Sequence, residues 1–186
     1  MHISSPRLIL RAWQRDDLPI FAAMNNDPKV MQYFPKPLSR SESDALAALA
    51  QSFIATQGWG FWAVELKHNH QFIGMVGLHA QPDKFSFSPC VEIGWRIDAA
   101  HWRCGYATEA AQHALKFAFE QLKLSEVVAF TAQCNTPSQQ VMQKLGMQYR
   151  QDFIHPDLAA DHPLAPHVLY AITRESFYQM HPKYPK

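Results

Sequence analysis

The chain has little glycine, little cysteine and almost no net charge. Seven glycines stand against 13 prolines in 186 residues. That balance excludes flexible glycine linkers and predicts stiff loops. The three cysteines, Cys90, Cys104 and Cys134, are scattered and odd in number, with no CxxC pair. A disulfide framework is excluded, and reduced thiols are the plain reading. Seventeen basic residues face 16 acidic ones, for a formal charge of +1, and no basic run occurs. Nothing in that balance points to nucleic acid. No stretch approaches the roughly 18 apolar residues that cross a bilayer. The opening MHISSPRLILRAW lacks the apolar core of a signal peptide. The expected setting is the cytoplasm, with neither nucleic acid nor membrane as partner. HExxH and HxxEH spacings are absent and the cysteines lie far from the histidines, so no metal is expected.

What is present is a globular composition, 47% hydrophobic, and enough length for one full core. A single domain over residues 1–186 is expected. Arg7–Trp13 reads as a first strand. Asp16 is placed to cap a short helix through Met24, broken by Asn25, Asn26, Asp27 and Pro28. Ser41 with Asp44 resembles a capping box for a second helix. Its apolar residues Leu46, Leu49, Ala50, Phe53 and Ile54 recur at helical spacing, and Gly58 ends it. Residues 59–66 and 72–79 read as a hairpin turning at His68–His70. A strand from about Cys90 to Ile97 precedes a long helix. Val127–Gln133 reads as a buried strand. Thr136 is the expected cap of the next helix, with Pro137 at its first position, Gln139 completing a box and Gly146 just past its end. Met147–Phe153 and Val168–Thr173 read as final strands. This order predicts an α+β fold with a mixed sheet.

Chemistry concentrates in WRCGYAT, Trp102–Thr108. Gly105 and Ala107 let a ligand approach the backbone. The amides opening the following helix lack intrahelical partners and carry the positive end of its dipole. Such a place holds a phosphate or pyrophosphate. A P-loop needs GxxxxGK[ST], and no lysine follows here. A dinucleotide fingerprint needs GxGxxG after the first strand, which is also missing. What remains is a short turn offering amides without a magnesium partner.

The run EIGWRI followed by HWRCGYATEA resembles motif A of the GNAT superfamily of acyl-CoA N-acyltransferases, and within it the Rim-type branch that acetylates ribosomal-protein N-termini. Asn135-Thr-Pro-Ser138 with KLGM at Lys144–Met147 is similar to the branch's second motif. PRLILRAW and GWGFWAVELKHNHQFIGMVGL resemble its opening strand and hairpin. The resemblance spans about residues 5–178. Trp102 stands where the general pattern has Gln or Arg, and Arg103 and Cys104 where the branch often has Gly and Gln or Lys.

The resemblance implies a mostly antiparallel twisted sheet of about seven strands, flanking helices and a splayed central pair. It implies an enzyme that moves an acetyl group from acetyl-CoA to a primary amine by direct attack, without metal. Amides of Arg103, Cys104, Gly105, Tyr106, Ala107 and Thr108 would hold the pyrophosphate, with Arg103 adding a side-chain contact. The strand edge at Arg96 and Ile97 would pair with the pantetheine arm, and an N–H near Ile97 would polarise the thioester carbonyl. Asn135 would hold the pantetheine amide. Ser138 would serve the departing thiolate, with Tyr106 as the alternative.

Glu92 is the candidate base. Period-two alternation puts Glu92, Gly94 and Arg96 on one face, so Glu92 either handles a proton or partners Arg96. Asn135 and Ser138 either act on the donor or cap a helix. Trp59, Tyr33 and Phe34 either pack or line the acceptor mouth. The acceptor, a protein N-terminus, a small amine or an amino-acid-like compound, should be distinguished by an open groove for a peptide or a pocket closed by HPDLAADHPLAPH for a small molecule. A monomer or homodimer is expected. The rival reading is a GNAT-fold CoA-binding module without turnover, serving as a sensor or scaffold.

Overall fold

The computed structural model describes residues 2–182. They form eight strands and six α-helices and divide into two compact units. One comprises residues 2–79 and 94–114, the other 80–93 and 115–182. The elements in chain order are β1 (Ile3–Ser4), β2 (Leu8–Arg11), α1 (Asp17–Asn26), α2 (Pro28–Met31), α3 (Arg40–Gln57), β3 (Phe61–Leu66), β4 (Phe72–Gln81), β5 (Cys90–Ile97), α4 (Tyr106–Glu120), β6 (Glu126–Ala132), α5 (Thr136–Lys144), β7 (Gln148–Ile154), β8 (Pro166–Thr173) and α6 (Arg174–Met180). β4, β5 and α4 contribute residues to both units.

In the first unit β1, β2, β3 and β4 pair antiparallel in sequence order. The expected first strand is β2, and the short strand β1 precedes it and pairs with it. Ser5 donates its N–H to the Leu8 carbonyl, which turns the chain and adds an eighth strand to the expected seven. Leu8 and Leu10 are fully buried and alternate with half-exposed Ile9 and Arg11, the pattern of a strand with one core face. Trp13, Phe21, Met24, Val30, Met31, Ala47, Ala50, Ala63, Phe72 and Met75 form the core of this unit. Leu49 points outward at 52% exposure. The buried stripe of α3 runs instead through Ser43, Ala47 and Ala50.

Helix α1 begins after Asp16 as expected, whereas the caps of α3 and α5 lie one or two residues earlier than expected. Asp16 already has helical φ and ψ and makes no side-chain cap. Buried Asp17 anchors that end, accepting the Gln14 N–H and two bonds from Arg11. The capping box of α3 is Ser39 with Glu42, replacing Ser41 and Asp44. Lys36 and the Ser39 bonds hold the Glu42 carboxyl down at about 2. Arg40 bonds Asp44, so that carboxylate serves the helix surface. Gly58 ends α3 in the left-handed conformation, as its place predicts.

In the second unit β6 pairs antiparallel with β8, and β8 with β7. β5 runs parallel to β6, and their one register pair is Glu92↔Val128. A parallel pair held at one point is a splayed pair. Val128, Leu169 and Ala171 form a small core with Phe87, Cys90, Phe130 and Phe153 packed on it. α5 is capped by Asn135 rather than Thr136, which moves Pro137 to the second position. Gln139 reaches back to the Gln133 carbonyl and completes no box. The C-terminal helix α6, capped by Thr173, was not anticipated.

Candidate active site

The loop before α4 is built by local bonds. The Asp98 side chain accepts the Ala100 N–H and starts a 3-10 turn over Ala99–His101. The Trp102 indole N–H donates to the Ile97 carbonyl at 2.7 Å. Arg103 and Gly105 both have positive φ, 62° and 80°. Glycine adopts that conformation freely; arginine there is strained. The first bond of the helix runs from Glu109 N–H to the Gly105 carbonyl at 3.0 Å. The amides of Tyr106, Ala107 and Thr108 therefore precede the helical ladder. Arg103, Cys104 and Gly105 are exposed, and Tyr106, Ala107 and Thr108 half-buried.

Two residues missed in the sequence hold this loop from the first hairpin. The Arg7 guanidinium bonds the Glu109 carboxylate at 2.6 Å and the Cys104 carbonyl at 3.0 Å, and lies 4.6 Å over the Tyr106 ring. Ser5 Oγ and the Arg7 N–H donate to the other Glu109 oxygen. Burial works to raise the Glu109 pKa, but the bonds from Ser5 and Arg7 outweigh it and hold the carboxyl below its usual value. The negative charge beside the phosphate-type loop is thus already satisfied. The Cys104 thiol is exposed and donates to the Trp102 carbonyl at 3.5 Å.

The end of β5 is fixed just as tightly. Asp98 N–H donates to the Ile73 carbonyl. Amides alternate along a strand, so the Ile97 N–H points away from β4. Gly74, with φ 145°, permits this approach: a Cβ there would lie 2.2 Å from the Arg96 carbonyl oxygen. The Arg96 side chain turns toward α1. Its Nη1 donates to Asn25 Oδ1 at 2.7 Å, and its guanidinium sits 4.1 Å over the Phe34 ring. Asn25 donates in turn to Ser43 Oγ at 2.8 Å. Burial lowers the Arg96 pKa to about 10.

The second unit carries the remaining expected residues. Glu92 is half-buried opposite Val128. Burial, then the charge of Glu92, raise the pKa of the Cys90 thiol, and Glu92 also acts electrostatically on His155. Asn135 Oδ1 accepts the Ser138 N–H at 3.2 Å, while its Nδ2 donates to Thr131 Oγ1 at 2.8 Å. Asn135 is therefore a helix cap, as one of the two expectations held. Rings of Phe85, Phe87, Phe130, Phe153, His155 and His167 gather beside this sheet. Lys84 pairs with Asp157 at its rim.

Arg96, Ile97 and the Arg103–Thr108 loop share the first unit; Glu92, Asn135 and Ser138 share the second. Ser5, Arg7 and Asn25 escaped sequence reading because their partners lie 71 to 104 positions away.

A loop of spare amides opening a helix, and a strand with an outward amide leading into it, are parts that suit an acyl-CoA-dependent transferase. The family model for the acetyltransferase (GNAT) domain matches residues 7–148. The chain belongs to the GNAT acetyltransferase family, whose members move acetyl groups from acetyl-CoA. It is 28% identical over 177 residues to the uncharacterized N-acetyltransferase YnaD of Bacillus subtilis (strain 168), covering 95% of this chain and 99% of that protein. The crystal structure of a GNAT-family acetyltransferase from Bacillus anthracis superposes with a TM-score of 0.79 at 26% identity, covering 94% of this chain and 99% of the other. The fold is also that of spermidine N-acetyltransferase from Vibrio cholerae, solved with CoA and spermine, at a TM-score of 0.72 and 22% identity over 91% of this chain and 97% of that one. No described helix is long and apolar enough to cross a membrane.

Proposed function

We propose that the chain, acting as one catalytic domain over residues 1–186, acetylates a primary amine, a protein N-terminus or a small amine, by direct attack on acetyl-CoA within a ternary complex. The observation that carries this is the set of amides at Tyr106, Ala107 and Thr108, ahead of the first helical bond and beside a glycine with positive φ. The motifs EIGW, WRCGYATEA and NTPS…KLGM support a Rim-type relative within the family.

Amides from Arg103 to Thr108 bind the pyrophosphate, and the exposed Arg103 side chain adds a cation to it. The backbone of Arg96 and Ile97 pairs with the pantetheine arm. The Ile97 N–H, directed away from β4, polarises the thioester carbonyl as a fixed dipole that needs no reorganisation. Asn135 Oδ1 spends one lone pair on the Ser138 N–H and keeps a second for a pantetheine amide. A nitrogen–carbon bond forms and the carbon–sulfur bond breaks. Glu92, directly or through water, takes the proton the amine loses. The Ser138 hydroxyl supplies a proton or a hydrogen bond to the leaving thiolate.

The test is thiol release with a panel of N-terminal peptides and small amines, beside a thermal shift with acetyl-CoA. Binding to the native state should raise the melting temperature by mass action. A shift without transfer to any amine would favour a non-catalytic CoA-binding module. No shift at saturating acetyl-CoA would refute the family mechanism for this chain. Glu92→Gln should lower turnover by 100-fold or more, on the order of a general base's contribution, with acetyl-CoA affinity nearly intact. Turnover equal to wild type across pH would remove Glu92 from the mechanism.

A further inference from the structure

Two imidazoles of the second unit hold opposite tautomers. The Asp157 N–H donates to His155 Nδ1 at 3.2 Å, so in the neutral ring the proton sits on Nε2. His167 Nδ1 meets the Ala165 carbonyl at 3.1 Å. A carbonyl only accepts, so this Nδ1 carries the proton and Nε2 keeps a lone pair. Burial disfavours the charged form of each ring, which keeps both neutral at pH 7. Neither Nε2 bonds a described residue and neither is a buried atom, so both are open to a ligand. The ring centroids lie 4.8 Å apart. One ring offers a donor and its neighbour an acceptor.

The surroundings are apolar and flat. The Phe153 ring lies 5.5 Å from His167, and the Phe130 ring 6.2 Å from His155. Both phenyl rings are half-buried, as is Phe87 beside them. Strand register puts His167 on the same face as Glu92. In β6, Ala132 pairs with His167 and Val128 with Glu92. Paired residues share a face, and so do residues an even number apart. The two β6 positions are four residues apart, about 13 Å of strand. Glu92 acts electrostatically on His155.

We propose that His155 and His167 together seat the hydroxyl of a phenolic amine, the acceptor of acetyl transfer. His155 Nε2–H donates to the phenol oxygen, and the phenol O–H donates to His167 Nε2. One oxygen can bridge two nitrogens with bonds of about 2.8 Å each, a span of the order the two rings set. The phenol ring rests against Phe130 and Phe153. The proposal rests on the acetyltransferase reading above, in which Glu92 takes the amine proton. Glu92 and the imidazoles stand apart along the face, so the two polar ends of the acceptor stand apart as well. A short amino alcohol cannot meet both. A polyamine offers His155 no acceptor, since protonated nitrogens only donate.

Matched acceptors test this on the unmodified protein: tyramine, phenethylamine, and the O-methyl ether of tyramine, whose oxygen accepts but cannot donate. The expected kcat/KM for tyramine is about tenfold that for phenethylamine, the order of two neutral hydrogen bonds, and the ether falls below tyramine. His167→Phe should bring tyramine to the level of phenethylamine. His167→Gln, whose amide oxygen accepts, should restore part of the preference. Phenethylamine or the ether serving as well as tyramine would overturn the proposal. A readout independent of turnover is calorimetric binding of tyramine to the CoA-loaded protein. Binding that His167→Phe abolishes, with no amine acetylated, would keep the hydroxyl seat and refute the transferase reading. Tyramine that fails to bind, or binds both proteins alike, would overturn the seat itself.

Discussion

Replacing Arg7 with methionine removes three contacts at once while keeping much of the aliphatic stem. The ion pair with Glu109 joins a half-exposed guanidinium to a mostly buried carboxylate, 49% and 13% exposed. Solvent screening limits such a pair to about 0.5–1 kcal/mol. The bond to the Cys104 carbonyl contributes about 1 kcal/mol, and the contact over Tyr106 about 0.5 kcal/mol at an exposed site. The sum is about 2 kcal/mol. For a chain of this length that lowers the melting temperature by about 4–8 °C. The Glu109 carboxylate keeps its bonds from Ser5 Oγ and the Arg7 N–H, so the loss should not grow into unfolding. Two of the three contacts end on the loop itself. If about half the energy maintains loop geometry, acetyl-CoA affinity falls about fivefold. Calorimetry with acetyl-CoA, beside melting curves for wild type, Arg7→Met and Arg7→Lys, reads both numbers. Lysine keeps the charge and loses the fork, so it should fall between. A lower melting temperature with unchanged acetyl-CoA affinity would show that Arg7 braces the hairpin only and does not shape the loop.

Ser138→Ala should slow turnover about tenfold or more with little change in melting temperature, since the cap bond uses the Ser138 backbone N–H; an unchanged rate would return Ser138 to its place in the helix cap. Gly74→Ala should destabilise by about 2 kcal/mol or more, because its Cβ would meet the Arg96 carbonyl at 2.2 Å and overpacking moves backbone; a wild-type melting temperature would refute the close approach. Burial holds His155 and His167 below their ordinary pKa of 6.5. The unfolded chain then binds more protons, so stability should fall as pH drops from about 7 toward 5. His155→Phe with His167→Phe should flatten that decline in melting temperature, and an unaltered slope would show that the carboxylates Glu92 and Asp157, which favour a charged His155, offset the burial of the rings.

Local chemistry made much of this molecule readable in the sequence. Gly58 and Gly146 end helices because only a residue tolerant of positive φ fits there. The β5–loop–α4 segment follows from an apolar strand, two small residues and a strong helix former. Caps were harder. Ser39 and Ser41, or Asn135 and Thr136, all have capping side chains, and tertiary packing chooses among neighbours. Asp17 became an anchor because Arg11 is beside it in space, which no period reveals. The same holds at the candidate site. Gly105 and Ser138 announce themselves through their neighbours in sequence, whereas the clamp of Arg7 on Glu109 and of Asn25 on Arg96 exists only after folding.

The Trp102 indole ties the start of the loop to the Ile97 carbonyl. In mechanical terms this bond is the crosspiece of a calliper. On the proposed function, one jaw is the Ile97 amide and the other is the run of amides at the mouth of α4. A donor must span both jaws to gain from both, so the span selects its length. Thioesters of bare pantetheine, which end before the pyrophosphate, engage one jaw only. Trp102→Phe would leave both jaws in place and loosen the crosspiece, and its effect should be larger on full-length acetyl-CoA than on the truncated donor.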